Sequence, residues 1–234
     1  MARINRCELT KLEIIRVATR NFIEKGYDKT QVRAIAKELG MSPGNLTFHY
    51  PSKEHMLAEL VNMLCKFQWE LLEAEVEDGL SSVMAICLEI ATIAATCDEN
   101  EAAKDFFISS YTSPMCLSII RKNDVIRAKK VFKEYCSKWD EEDYAEAGIV
   151  VSGIEYATFV NTGENVSLEM RISGAINCIL AIYNVPKEIR KSKADKVLSM
   201  DYRSIGRKIL SDFKKYVNES NEQALLSLLR GYGD

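Results

Sequence analysis

The 234-residue sequence has few of the residues and motifs that build catalytic or metal sites. It contains two histidines, and its seven cysteines are never closer than ten residues apart. No Cys/His group has the spacing of a zinc site, and no Gly-x-Ser-x-Gly, P-loop or Gly-x-Gly-x-x-Gly motif occurs. The odd number of cysteines, most of them among apolar neighbours, indicates reduced core thiols. The sequence predicts no catalytic residue, no metal and no cofactor, so we expect no enzyme.

Long apolar segments are also missing. The N-terminus lacks an apolar signal segment, and the longest uncharged runs, 106–120 and 172–186, are shorter than the ~20 residues that span a bilayer. We therefore expect a cytoplasmic protein with no membrane partner.

Prolines and β-strand patterns are scarce, which favours an all-α fold. The four prolines, at 43, 51, 114 and 186, each fit a helix boundary, and no stretch alternates apolar with polar residues. Helices are predicted at 8–25, at 30–39, from Pro43, from Ser52 to Asp78-Gly79, and at 80–97, 99–112, 115–137, 140–162 and 167–184. Shorter amphipathic helices are expected after Pro186. The predicted domains are a three-helix head at 1–52 and a larger helical body at 53–234.

Charge is distributed unevenly between these two parts. The net charge is −3, but residues 1–55 hold ten Lys or Arg against six Asp or Glu, which leaves −7 for the rest. A cationic head on an acidic body is expected when only the head meets phosphate groups. Chance scatter of surface charge is the alternative.

Residues 30–57 have the pattern of a helix-turn-helix motif. Val32, Ile35, Ala36 and Leu39 recur at helical spacing, and Gly40 can end that helix in the left-handed conformation. Thr30 is placed to cap its start, and Ser42 followed by Pro43 starts the next helix. In a helix-turn-helix the second helix enters the DNA major groove.

The run Gly-Met-Ser-x-Gly-x-Leu-x-Phe-His-Tyr-x-Ser-Lys-Glu at 40–54 resembles the recognition-helix signature of the tetracycline-repressor-like (TetR) transcription regulators. The match extends over roughly residues 10–62 and includes Phe22, Gly26 and Tyr27. The resemblance implies a dimeric DNA-binding protein whose helical body binds a small molecule. Beyond residue 65 no family motif is present.

The predicted DNA contacts divide into backbone contacts and base contacts. Helix starts favour phosphate, and the resemblance also assigns backbone contacts to these positions, so they are expected from Thr30, Ser42 and Lys53. Thr47 stands where many members have a phosphate-contacting tyrosine, and His49 either contacts DNA or packs beside Tyr50. Base reading is expected from the exposed face of residues 43–49 and from Arg33, at a family position that often reads guanine. That face comprises Pro43, Gly44, Asn45, Thr47, Phe48 and His49.

The body carries predictions that rest on the resemblance. Phe67, Phe107, Tyr111 and Tyr156 lie on helices that surround the ligand cavity in the family, although aromatic residues at helical spacing are more often core. They indicate an apolar or aromatic effector. Residues 148–160 and 172–183 are rich in small apolar residues, which favours either a four-helix dimer interface or burial within one chain.

Three functions remain open from the sequence. The first is a ligand-responsive, homodimeric repressor of a palindromic operator. The second is a DNA-binding protein of the same fold controlled by a protein partner or by cysteine oxidation. The third is an all-helical enzyme or carrier without DNA binding, against which the intact recognition helix and the cationic head argue.

Overall fold

The computed structural model describes residues 6–77, 79–160 and 166–230, and within these ranges the chain is helical with no strand. Its helices are α1 (Arg6–Lys25), α2 (Val32–Glu38), α3 (Pro43–His49), α4 (Lys53–Glu77), α5 (Ser82–Glu99), α6 (Glu101–Thr112), α7 (Pro114–Val131), α8 (Glu141–Val160), α9 (Leu168–Ile182), α10 (Lys187–Leu198) and α11 (Tyr202–Arg230). The predicted all-α fold is confirmed. None of these helices is long and apolar enough to cross a bilayer.

Helices α1 to α3 form the predicted head around a small apolar core. Phe22 from α1, Ile35 from α2 and Leu46 from α3 are all fully buried. Gly26 and Gly40 end the first two helices with positive φ angles of 95° and 65°, which glycine adopts without steric cost. A Cβ at Gly26 would also lie 2.6 Å from Asp105 Oδ2 of α6, so this corner needs glycine for space as well.

The predicted cap of α2 is wrong. The residue that precedes α2 as its N-cap is Gln31, whose side chain makes no capping hydrogen bond. Thr30 is buried instead, and its hydroxyl donates to the carbonyl of Gly26 at 2.7 Å. The Thr30 hydroxyl thus links the two sides of the turn between α1 and α2, because it faces inward, within reach of the Gly26 carbonyl. The predicted cap of α3 is confirmed, since Ser42 Oγ accepts from the amide of Asn45 at 3.2 Å.

Helix α4 is the predicted long connector between head and body. It runs for 25 residues, with Leu57, Leu60 and Val61 fully buried, and it packs against α1 at one end and against α5 and α7 further along. It ends at Glu77, and Asp78 of the predicted stop lies outside the described residues. Because one continuous helix contacts both parts, a movement in the body can reach the head.

Helix α5 is the centre of the body. Eleven of its 18 residues are buried, and α4, α6, α8, α9, α10 and α11 all pack on it. One predicted boundary differs from the structure, and another cannot be compared with it. Helix α7 was predicted to end at 137 but ends at Val131. The next residue, Phe132, stacks on Tyr183 with ring centroids 4.2 Å apart. The predicted end of α8 at 161–162 lies outside the described residues.

The C-terminal part of the chain was predicted as short helices, and this prediction is wrong for α11. This helix runs for 29 residues along α5 and back to α1 of the head. Gly206 permits the crossing with α5, since a Cβ there would lie 2.8 Å from the carbonyl oxygen of Thr92. Asn221 is buried near the far end and donates to Thr19 Oγ1 at 3.2 Å. Long-range packing against α5 and α1 supports α11.

Candidate nucleic-acid interface and ligand cavity

The recognition helix α3 has one anchored side and one open side. Leu46 is fully buried and fixes the helix to the head, while its neighbours on the outer side are exposed. Phe48 is 78% exposed. The exposed predicted contact residues of the α3 segment are Ser42, Pro43, Gly44, Asn45, Thr47 and Phe48.

Two further predicted contact residues flank this open side. Arg33 is exposed on α2 and makes no ion pair with the part of the chain that the structure describes. His49 is half-buried, its ring stands edge-on to Phe48 at 5.3 Å, and its Nδ1 lies 3.7 Å from Cys7 Sγ. Arg33 and His49 lie on α2 and α3, which pack against each other.

Lys53 has a role that the sequence did not reveal. Its ammonium donates to the carbonyls of Tyr27 at 2.8 Å and Thr30 at 3.2 Å, and lies 3.8 Å above the Tyr27 ring. Burial lowers the pKa of Lys53, and the nearby charges of Asp28 and Asp105 oppose that shift. The ammonium therefore holds the α1–α2 corner. A phosphate contact at this position would use the backbone amides that begin α4.

The body contains a cavity of about 70 Å³ between α4, α5, α6 and α11. Its wall is almost entirely apolar, and it includes Phe67 and Phe107, as the sequence predicted. Phe213 of α11 completes the aromatic wall, with its ring centroid 5.4 Å from that of Phe67. The sequence alone does not reveal Phe213 as a wall residue, because only the packing of α11 brings it to this side of the body.

A second, smaller cavity of about 20 Å³ adjoins the first and shares Phe107 with it. Tyr111 lines this second cavity. Tyr156 lies outside both sets of lining residues, although its ring centroid is 6.3 Å from that of Tyr111. The prediction that Tyr156 borders the cavity is therefore not supported.

Three carboxyls that belong to a charged cluster line the second cavity. Glu89 of α5 accepts from Arg127 Nη1 of α7 at 3.0 Å and pairs with its Nη2, and it also accepts from Gln68 at 2.6 Å. Glu155 of α8 accepts from the Tyr111 hydroxyl at 3.0 Å. The side chains of Arg127 and Glu89 are only 5% and 17% exposed. We call this group, with Asp124, the acid cluster: Glu89, Asp124, Arg127 and Glu155.

The acid cluster contains more acidic groups than Arg127 can neutralise. The closest oxygen of Asp124 is 3.8 Å from Arg127 Nη1, too far for a hydrogen bond. Burial raises the pKa of Asp124 to about 7, with Arg127 acting against the shift and Glu89 adding to it. Burial and the charge of Asp124 raise the pKa of Glu155 well above its ordinary value. Burial and the charge of Glu89 likewise raise the pKa of nearby Glu75 to about 7.

One sequence signal for the acid cluster was available. Glu89 is the only charged residue between 79 and 97, and Glu155 is the only one between 147 and 160. A lone carboxylate within an apolar helix is expected to have a buried partner. No comparable signal marks Asp124 or Arg127, which lie in a strongly charged stretch.

The raised pKa values predict that stability falls as the pH rises from about 5.5 to 7.5. A carboxyl whose folded pKa exceeds its unfolded value stabilises the fold below the unfolded pKa, and this stabilisation is lost as the pH passes the folded pKa. We expect the melting temperature to drop by several degrees, at ~2–4 °C per kcal/mol for a chain of this size. Thermal denaturation at fixed protein concentration measures this, and Asp124→Asn should flatten the slope. A melting temperature that rises over this range would contradict the assignment.

Helices α8 and α9 expose the apolar residues that were predicted to form a dimer interface. Ile149 and Val150 of α8 are 55% and 54% exposed, and Met170 of α9 is 63% exposed. Gly153 and Gly174 lie on the same faces. If either glycine carried a side chain, its Cβ would have no neighbouring atom within 4 Å. One chain therefore does not bury these faces by itself.

Comparison with known proteins places the head in a family. Residues 14–60, which span α1 to the first turns of α4, match the bacterial regulatory proteins of the tetR family. The chain is 24% identical over 153 residues to the uncharacterized HTH-type transcriptional regulator YxaF of Bacillus subtilis (strain 168), covering 61% of this chain and 78% of that protein. The head of the chain, residues 14–60, belongs to the tetR family of bacterial regulatory proteins. This match confirms the resemblance that the head's sequence indicated.

Other similarities of the regulator are local or weak. It is 43% identical over 49 residues to the HTH-type transcriptional regulator YuxN of B. subtilis (strain 168), covering 21% of the regulator and 17% of YuxN. Among solved structures, the TetR family protein CprB from S. coelicolor A3(2) is 18% identical with a TM-score of 0.44, covering 82% of the regulator and 98% of that chain. A gamma-butyrolactone receptor (ArpA-like protein) is 18% identical with a TM-score of 0.45, covering 82% and 97%.

Proposed function

We propose that the regulator is a homodimeric, ligand-responsive repressor that binds a palindromic operator in the cytoplasm and releases it when a small molecule enters the body. The observation that carries this proposal is the open face of α3. Leu46 anchors the helix, while small and polar residues project outward where they can reach base edges. In this scheme residues 1–52 bind DNA, and residues 53–234 bind the effector and dimerise.

The exposed faces of α8 and α9 support the dimer. Their apolar side chains and glycines allow two copies to pack closely around a two-fold axis, as an isologous interface requires. A dimer would present two α3 helices to successive major grooves on one side of the DNA. We therefore propose that α8 and α9 of two chains form a four-helix interface.

The size of the first cavity supports control by a ligand that moves its walls. A volume of about 70 Å³ is much smaller than the ~300–1,000 Å³ of typical small-molecule sites. An effector must therefore separate the surrounding helices, so it selects a different arrangement of the body.

Two contacts connect those walls to the head. Helix α4 carries Phe67 in the cavity and Lys53 at the α1–α2 corner. Helix α6 carries Phe107 in the cavity, and its Asp105 accepts a hydrogen bond from the Asp28 amide of the head at 2.9 Å. A ligand that displaces α4 or α6 would change the spacing of the two recognition helices. The expected coupling is ~1–3 kcal/mol, or about 5–150-fold in operator affinity.

Control by cysteine oxidation is the weaker alternative. Cys65, Cys87, Cys97, Cys116 and Cys136 are buried, and only Cys7 and Cys178 are exposed. Burial raises the pKa of Cys65, Cys87 and Cys97 to about 12, which suppresses the reactive thiolate. A further test distinguishes control by a small molecule from control by a protein partner. If a small molecule alone releases the DNA under reducing conditions, no protein partner is needed.

A gel-shift assay with the DNA that flanks the regulator's own gene tests the proposed function. We expect a specific complex whose protected site is an inverted repeat. No specific complex with that DNA, or protection of a single asymmetric half-site, would contradict the proposal.

Arg33→Ala tests base reading. We expect a loss of about 1–3 kcal/mol at the operator and a relaxed preference at one base pair per half-site, because a bidentate arginine–guanine contact would be removed. Competition gel shifts with operator variants and with random DNA measure both effects. Lys37→Ala, an exposed cation on the same helix, is the matched control and should weaken both DNAs about equally. Equal losses on both DNAs for Arg33→Ala would show that Arg33 does not read a base.

A further inference from the structure

The unassigned feature with the most specific chemistry is the acid cluster at the end of the cavity. Three of its members, Glu89, Asp124 and Glu155, line the second cavity, which adjoins the apolar first cavity. The two cavities share wall residues on α4, α5 and α6, among them Leu64, Gln68 and Phe107. Together they form one elongated site with an apolar, aromatic end and an acidic end.

The acidic end has interactions left to make. Arg127 uses both of its Nη atoms on Glu89, so Asp124 and Glu155 have no hydrogen-bonded cation among the described residues. Arg127 Nε is buried and has no hydrogen-bond partner in the described part of the chain. Buried charges are stable only when they are paired and hydrogen-bonded. The surplus carboxyls that line the cavity, Asp124 and Glu155, are therefore acceptors that an apolar ligand alone would leave without a cation.

We propose, on the basis of the ligand-responsive function above, that the effector is a lipophilic cation, an amine or related organic cation whose apolar part lies against Phe67, Phe107 and Phe213 and whose charge lies beside Asp124 and Glu155. This refines the apolar or aromatic effector that the sequence predicted. The aromatic walls accommodate the body of such a ligand, and a positive charge gains more beside a buried carboxylate than in water.

Binding of a cation should also release protons. Because burial raises the pKa values of Asp124 and Glu155, we expect these two carboxyls of the free protein to be partly protonated near neutral pH. A bound cation favours the ionised carboxylates and lowers both pKa values, so the complex holds fewer protons than the free protein. Affinity should therefore rise with pH up to about 7. The groups that face the two carboxyls are Glu89 of α5, Arg127 of α7, Tyr111 of α6, Cys65 and Gln68 of α4, and Tyr183 after α9.

Three probes that differ in charge test the proposal: phenylbutylamine, phenylbutanol and phenylbutyrate. Calorimetric titrations of the full-length protein, at about pH 5.5, 6.5 and 7.5, measure their affinities and the protons exchanged with the buffer. We expect the amine to bind at least tenfold more tightly than the carboxylate, with the alcohol between them. The affinity of the amine should rise up to tenfold per pH unit, and that of the alcohol should not.

Variants of the cluster identify the responsible groups. Glu155→Gln and Asp124→Asn should each remove most of the amine preference and the proton release, while both keep the affinity for phenylbutanol. Glu142→Gln, an exposed carboxyl on the same helix as Glu155, is the matched control and should change neither. Tighter binding of phenylbutyrate or phenylbutanol, an affinity for the amine that does not depend on pH, or no binding of the amine would overturn the proposal.

A gel shift of the operator complex with the amine separates this proposal from the function on which it rests. Amine binding that leaves the operator complex intact would support the cation site and contradict ligand control of DNA binding. Release of the operator by phenylbutyrate or phenylbutanol but not by the amine would support ligand control and contradict the cation site.

Discussion

Replacing Gly153 with arginine should convert the regulator into a monomer and reduce its operator affinity by about 100-fold or more, since two linked half-site contacts would become one. Gly153 lies on the exposed face of α8 with nothing within 4 Å of a would-be Cβ, so one chain accommodates the new side chain. At the proposed two-fold interface the same side chain would introduce bulk and an unpaired charge from each copy. Arginine is also a better helix former than glycine, so the isolated chain should fold at least as well.

Sedimentation at micromolar concentration, thermal denaturation and operator gel shifts measure these three expectations. Ser211→Arg, an exposed position on α11 away from α8 and α9, is the matched control and should remain dimeric with unchanged operator binding. A Gly153→Arg protein that dimerises normally would show that the interface lies elsewhere. A monomeric wild-type protein would contradict the dimer itself.

Replacing Arg127 with methionine should destabilise the protein by about 3–5 kcal/mol near neutral pH, because it leaves the buried Glu89 carboxylate without its cation. The pair is well inside the body, with side chains 5% and 17% exposed. The loss of positive charge also affects Asp124, whose raised pKa depends on the balance between burial, Arg127 and Glu89. This expected effect is large compared with most single substitutions.

The pH dependence distinguishes a lost charge pair from lost packing. Without Arg127 the folded-state pKa values of the remaining acids rise further, so the folded protein binds more protons than the unfolded chain and recovers stability as the pH falls. The deficit of Arg127→Met should therefore be smaller at about pH 5.5 than at about pH 7.5. Urea unfolding at equal protein concentrations measures it. A deficit of the same size at both pH values would indicate packing alone.

Lys130→Met is the matched control for this substitution. Lys130 is on the same helix and pairs with Glu73 at 3.1 Å, but both side chains are about 60% exposed. Water screens such a pair, and its removal should cost only ~0–1 kcal/mol with little dependence on pH. Equal losses for the two variants would contradict the account of the acid cluster.

The sequence by itself determined the head and its family. The apolar spacing of Ile35 and Ala36, the turn at Gly40 and the start at Ser42-Pro43 are local signals, because each depends on residues within one or two helical turns. The structure confirms these elements, and the family match covers the same segment. Local signals also predicted α4 as a long connector.

Side-chain partners in the head were less predictable from sequence, even where the helices were right. Thr30 has the chemistry of a cap, yet it is buried and donates to Gly26. Lys53 has the chemistry of a phosphate contact, yet its ammonium donates to Tyr27 and Thr30. Both residues use acceptors at the corner between two helices, and the folded head alone brings those acceptors within reach.

Only the tertiary structure decided what the body contains. Glu89, Arg127 and Glu155 come from α5, α7 and α8, and Phe213 joins the cavity because α11 returns along α5. These contacts link residues that are distant in sequence, so no local spacing reports them. Whether a lone carboxyl in an apolar helix meets a cation, a second acid or water depends on which helices pack there, and packing also determines its burial and its pKa.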